Sequence, residues 1–362
     1  MRSTGRRLAA AAAVVFLLLL AYLAAWPVPG EPVAWRPPPS PGFSGPYAPN
    51  RELAAAERLD AGGEGPEDVA VGSDGRIYTG LRDGRIMRLE SDGSGATTFA
   101  QTGGRPLGLC FGSEGRLLVA DAKRGLLAVG RDGAVSVLAS GHGGVPFSLA
   151  DDLDVGADGT VYFTDASARV GIADSITDMV EHRATGRLLS YDPGQRSTTV
   201  LLDGLCFANG VALAPDESFV LVVETACYRV RRLWLRGERR GVSEVILDDL
   251  PAFPDGITGD GHGTYWIALV SPRNPLLDAL HPYPSLKKAL LRLPGAIRPG
   301  PRRYGFVLGV DGDGRIVRNL QDPQGSTVAL VTNAVPHGSW LYLGILEGHA
   351  LARLPRPAGY SP

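Results

Sequence analysis

Apolar and polar residues alternate at period two in six stretches of the chain, and each stretch breaks at a tight turn and then resumes. The stretches begin at Glu67 (EDVAVGSDGRIY), Pro106 (PLGLCFGSEGRL), Asp151 (DDLDVGADGTVY), Asn209 (NGVALAPDESFV), Asp255 (DGITGDGHGTYW) and Val331 (VTNAVPHGSWLY). Period two marks a strand with one buried face, and S-D-G, A-D-G, P-D-E and G-H-G are turn chemistry. Six such units, starting 39 to 76 residues apart, predict a repeat architecture whose loops have diverged. The expected fold is all-β, a six-bladed β-propeller over residues 57–357.

In a propeller the innermost strand of every blade begins near the central channel, so residues at one register point at one place. Four of the six windows open with an oxygen-bearing side chain: Glu67, Asp151, Asn209 and Asp255. Three are carboxylates, and like charges brought that close repel by several kcal/mol unless a cation lies between them. A hard, oxygen-preferring ion is therefore expected, and Ca2+ suits a flexible cage of carboxylate and amide oxygens better than Mg2+. Any one Asp or Asn at a strand start is an ordinary turn former; the shared register of four is what separates these. Glu67 follows Gly-Pro, where turn chemistry does not call for a glutamate, and a buried glutamate needs a partner.

Two interruptions break the pattern. Residues 170–185 carry Ile172, Ile176, Met179 and Val180, spaced for a short helix. A longer excursion, 271–301, contains LDALHPYPSLKKALLRLPG and reads as one or two helices. Loops of that length are usually functional, and this one is expected to shape a substrate entrance. The GVDGDGR stretch resembles a Ca2+ loop but lacks the glutamate at its twelfth position, and it reads as a hairpin.

Composition narrows the class. The 362 residues include 48 Gly and 28 Pro with a net charge of −2, which fits one large turn-rich β domain and gives nucleic acid no basic patch to bind. Cys110, Cys206 and Cys227 allow at most one bridge, and scattered cysteines in apolar strands read as buried thiols. Arg2, Arg6 and Arg7 precede an uncharged run from Leu8 to Trp26, close to the ~20 residues needed to cross a bilayer. Residues 1–26 are read as a signal-anchor with a cytoplasmic terminus and the propeller outside. The alternative is a cleaved signal and a secreted product, for which Leu23-Ala24-Ala25 offers a weak cleavage site. The Pro-rich residues 27–56 are a stiff linker or a strap.

FANGVALAPDESFVLVVETACYRVRRLWL, LPAFPDGITGDGHGTYWIALVSPR and DDLDVGADGTVYFTDAS resemble the strictosidine-synthase-like branch of the superfamily of gluconolactonases, regucalcin (SMP-30), paraoxonases and diisopropylfluorophosphatase. The N-terminal anchor and PVPGEPVAW look like those of its membrane-bound adipocyte members. The resemblance implies a six-bladed propeller with a catalytic Ca2+ on its axis, held at Glu67, position 151, Asn209 and Asp255. This chain has Asp151-Asp152 where the family often has Asn-Asp, and an extra carboxylate should tighten Ca2+ while lowering its Lewis acidity. Strictosidine synthase uses a glutamate at the start of the last inner strand; Val331-Thr332-Asn333 has none, which argues against amine–aldehyde condensation.

The function expected is Ca2+-dependent hydrolysis of a small lactone or aryl ester, the metal polarising the carbonyl and Asp255 acting as nucleophile or general base. His142 and His262 are weaker candidates, both placed in surface turns. The alternative is a non-enzymatic propeller, stapled by Ca2+, that binds a partner at the membrane. The apolar run predicts that the protein fractionates with membranes and keeps its N-terminus; N-terminal sequencing checks this, and a soluble product starting near Trp26 would show a cleaved signal instead.

Overall fold

Each alternating stretch pairs with its own continuation across the turn that follows. Ala208–Leu213, for example, runs antiparallel to Phe219–Glu224 through a P-D-E turn. Two further strands extend each such pair, giving six four-stranded antiparallel sheets, and the computed structural model is a six-bladed β-propeller. It describes residues 2–28, 30–112 and 114–357; Ser113, of the first turn in blade two, lies outside them. The innermost strands are Ala70–Val71, Pro106–Phe111, Ala150–Val155, Ala208–Leu213, Ala252–Gly259 and Val331–His337, one from each of the six windows.

Blade six takes its outer strand from the opposite end of the propeller sequence. Glu57–Asp60 pairs with Ala350–Pro355, Glu57 facing Arg353, and Arg353 Nε donates to Glu57 Oε2 at 2.8 Å. Closure abolishes the sheet edges that an open array would expose. Apolar clusters lie between neighbouring blades: Ala70, Tyr78 and Ile86 of blade one pack with Leu109, Leu117 and Val119 of blade two.

Within residues 38–56 the Pro-rich segment behaves as a strap. Asn319 Nδ2 donates to the carbonyls of Pro46 and Ala48, and Gln321 Nε2 to that of Tyr47. Leu53 is fully buried among Trp266, Val307 and Leu341 of blades five and six. The G-V-D-G-D-G-R stretch is a hairpin between Gly305–Asp311 and Ile316–Asp322.

The cysteines depart from the expectation of buried thiols. Cys206 and Cys227 form a disulfide, tying the start of blade four's inner strand to the 3-10 turn Thr225–Cys227. That turn brings together residues 21 apart in sequence, a proximity the spacing alone does not reveal. Cys110 is free and half-buried.

The chain divides into two compact units. The propeller belongs to Pro38–Ser175, Ala184–Arg273 and Pro301–Pro362; the smaller unit is Met1–Pro37, Ile176–Arg183 and Asn274–Gly300. Its helices are α1 (Arg2–Ala25), α2 (Ser175–Glu181), α3 (Pro275–Leu280) and α4 (Pro284–Arg292), so both interruptions of the β pattern are helical. Val180, Leu290 and Leu291 form its core with Val28, Leu277 and Leu280. Lys287 is fully buried and donates to the carbonyls of Val33 and Glu181. Among the described residues, α1 alone is long and apolar enough to cross a membrane.

The burial of Leu53 makes the strap part of the propeller core. Leu53→Ala is expected to cost ~2–5 kcal/mol, read as a lower denaturant midpoint; a mere linker would leave the midpoint in place.

Candidate metal centre

The inner strands do not pair evenly with their neighbours. Register shifts fall between Ala150 and Leu153, Ala208 and Val211, and Pro254 and Ile257, so Asp151, Asn209 and Asp255 each sit inside a bulge. Blades two and six carry the same irregularity, at Pro106/Gly108 and Val331/Asn333. A bulge re-aims the side chains it carries without ending the strand. The N-G and D-G dipeptides have a related use. A Cβ at Gly210 would lie 2.4 Å from Ile257 N, and one at Gly256 would lie 2.5 Å from Thr332 O. Only glycine lets adjacent inner strands come that close, and the polar residue before it is left at the register shared by all four blades.

The four predicted residues come together. Asn209, 7% exposed, lies beside the Asp255 carboxylate. Burial pushes Asp255 well above the usual carboxylate range, and the charge of Glu67 adds to the shift. Burial also raises Asp151 far above its ordinary value, followed by the charges of Asp255 and Glu67. For Glu67, burial outweighs the opposing pull of Arg105. All three shifts are upward because burial disfavours the charged form. The donor set is all oxygen. The three carboxylates' oxygens do not all lie within 4.8 Å of one another, so they are not drawn up into one ion's coordination sphere in this structure.

Arg105 was not among the predicted site residues. It is 4% exposed and precedes blade two's inner strand, the first position without an oxygen ligand. Its Nη2 pairs with Glu67 Oε1 at 3.0 Å, and its Nη1 donates to Gly65 O. Its place directly before a ligand-free window carried no signal in the sequence, because its burial is set only by the folded blades.

A second set of acids alternates with the first. Asp68 accepts from Leu109 N of blade two at 2.7 Å and from Asn333 Nδ2 of blade six at 2.6 Å. Asp152 and Asp154 accept from Val211 N and Leu213 N of blade four at 3.0 and 2.8 Å. Thr332 Oγ1 donates to Glu67 O at 2.6 Å, so the segment lacking the condensation glutamate closes blade six onto blade one. Burial raises Asp68 to about 7 and Asp154 to about 6. The acidic pairs Glu67-Asp68 and Asp151-Asp152 were legible in the sequence; period two sends their members to opposite faces, one toward the shared register and one toward the next blade.

Neither histidine candidate joins these groups. His142 Nδ1 meets Thr198 Oγ1 at 3.0 Å on an outer strand of blade three, and His262 is exposed in the turn after Gly259.

Known proteins bear on this geometry. The family model described as Strictosidine synthase matches residues 151–238, and that described as Strictosidine synthase-like, N-terminal, matches residues 45–89. An adipocyte plasma membrane-associated protein of Salmo salar is 38% identical, over 93% of this chain and 86% of its own length. The chain belongs to the strictosidine synthase-like family. Protein strictosidine synthase-like 13 of Arabidopsis thaliana is 36% identical over 75% of this chain and 76% of its own. Among solved structures, a gluconolactonase from Xanthomonas campestris superposes with a TM-score of 0.62 at 18% identity, covering 91% of this chain and 99% of its own. A calcium-binding regucalcin from Agrobacterium tumefaciens gives 0.58 at 16%, covering 82% and 92%. At those identities the likeness carries the propeller fold. The two family-model matches include Glu67 and Asp68, and Asp151 and Asn209 with the disulfide.

Folded Asp68 keeps its proton to about 7, whereas its ordinary value is 3.8. Between those values the folded state binds more protons than the unfolded one, so raising pH removes stability. In chelator, the melting temperature should fall as pH rises from about 4 to about 7. Added Ca2+ should raise it most at the upper end, where ionised carboxylates are available; differential scanning calorimetry reads both effects.

Proposed function

We propose that this chain is a Ca2+-dependent hydrolase of lactones or aryl esters. The observation that carries the reading is the meeting of Glu67, Asp151, Asn209 and Asp255, from four separate blades, in a cluster where burial shifts all three carboxylates upward. Glu67, Asp151 and Asp255 would hold the ion through carboxylate oxygens and Asn209 through its amide oxygen. Bound there, the ion supplies Lewis acidity toward a carbonyl oxygen and compensates the carboxylate charge.

The remaining chemistry belongs to the chain. Asp255 has two oxygens, and one that is not taken up in ligation can accept the proton of an attacking water or attack the carbonyl itself. Asn209, beside that carboxylate, orients it. Arg105 restrains Glu67 and so sets the position of one wall of the site. His142 and His262, held on an outer strand and in an exposed turn, are left out, so the base is a carboxylate. The gluconolactonase among the similar structures and the calcium-binding regucalcin support the substrate class and the ion.

A second reading follows from the bonds of Asp68, Asp152 and Asp154 to neighbouring blades. Acidic groups already stitch the ring, and an ion at its centre would complete that stitching in a propeller that binds a partner. For either reading, α1 anchors the chain, Arg2, Arg6 and Arg7 keeping its start cytoplasmic and the propeller on the other side.

Phenyl acetate and a lactone panel, assayed with and without chelator, separate the two. Asp255→Asn should retain Ca2+ at somewhat lower affinity and lose at least ~100-fold in kcat. Asn209→Ala should chiefly weaken the ion and recover activity at high Ca2+. Equal rescue of both variants by Ca2+ would remove the base role from Asp255. A wild type that holds the ion and turns nothing over would leave the partner-binding reading.

A further inference from the structure

The smaller unit carries apolar surface that its own packing does not use. Among the described residues, every exposed large hydrophobic side chain other than a valine lies in this unit. Those on α1 are explained by a membrane span. Trp26, Ile176, Leu276, Tyr283, Leu286 and Ile297 are not, yet each is between 47% and 64% exposed.

These residues are joined to the end of α1. Tyr22 Oη donates to Arg292 O at 2.8 Å, while Arg292 returns Nη1 to Leu23 O at 2.7 Å and Nε to Trp26 O at 2.5 Å. The last carbonyls of a helix have no partner within it, and here the guanidinium of α4 supplies one. The end of the apolar run and the end of α4 are therefore one bonded structure, and what α1 does in a membrane brings α4 to the same depth. α4 is packed through Lys287, Leu290 and Leu291, while Leu286 in its first turn and Tyr283, which precedes it at the cap position, are exposed. Tyrosine and tryptophan favour the level of lipid headgroups, where the ring is sheltered and its polar edge stays wet. Leucine and isoleucine beside them gain by leaving water.

We propose that α3, α4 and the 3-10 turn Gly295–Ile297 that follows form a second membrane contact, lying in the bilayer interface where α1 leaves it. Leu276, Tyr283, Leu286 and Ile297 enter the headgroup and upper acyl region, and Arg292 ties the in-plane segment to the spanning one. The inference rests on the anchor reading of α1, and its occupant is the lipid bilayer itself.

The test uses the full chain with Cys110→Ala and single cysteines introduced as L18C, L286C, I297C and V137C, the last on an outer strand of blade two. Each is labelled with an environment-sensitive fluorophore and reconstituted into phosphatidylcholine vesicles, with quenchers either in solution (iodide) or at fixed depths on the lipid. Labels at 286 and 297 should show blue-shifted emission, quenching by shallow lipid quenchers and several-fold less iodide quenching than position 137, while position 18 is quenched only by deep ones. Iodide access at 286 and 297 equal to that at 137, with position 18 still deep, overturns the proposal and leaves the anchor standing. Iodide access at position 18 overturns both. Labels at 286 and 297 that are open in vesicles but shielded in native membranes would assign the face to a protein partner and overturn the lipid assignment.

Discussion

Burying acid at the centre of a ring of strands is costly unless every carboxylate finds a donor or a counter-charge, and this propeller is organised around meeting that requirement. Asp68, Asp152 and Asp154 meet it with backbone N–H groups of a neighbouring blade. Such bonds contribute about 0.5–1.5 kcal/mol each, and they run between blades that main-chain pairing does not join. They hold the inner strands in register with one another. Glu67 and Asp151 stand one step before Asp68 and Asp152, Asp255 stands alone on blade five, and the three have less protein to satisfy them: an arginine beside Glu67 and an asparagine beside Asp255. The first set ties the ring together; the second stands at the shared register that the first helps to position.

This division explains why bulges and glycines gather at the inner strands. A regular strand would send alternate residues up and down the sheet, and it would keep adjacent blades apart by the width of a side chain. The bulges turn Asp151, Asn209 and Asp255 out of the ladder. Gly210 and Gly256 let each strand reach the backbone of the next blade. The disulfide from Cys206 serves the same end, fixing the start of the strand that carries Asn209.

The helical interruptions serve a different requirement. They assemble with the N-terminal segment into a unit with its own small core and its own buried lysine. Arg292 binds carbonyls at the end of the apolar helix, so that this helix continues into folded protein instead of ending in a free tether.

The blade count, the strand order within each blade and the four residues at the shared register follow from local pattern, because period two, turn dipeptides and an oxygen ligand at a fixed offset are all properties of short windows. The helices of 170–185 and 271–301 were legible for the same reason. What the sequence did not contain were relations between distant segments. Arg105 looks like any basic residue until blade two is set beside blade one. Asp68 and Asp152 look like duplicate ligands until their backbone partners are in place. Cys206 and Cys227 look like buried thiols until a turn returns one to the other, and Glu57–Asp60 looks like an isolated strand until it closes blade six. Each of these depends on which groups are left unsatisfied once the ring has formed, and only the closed tertiary structure decides that.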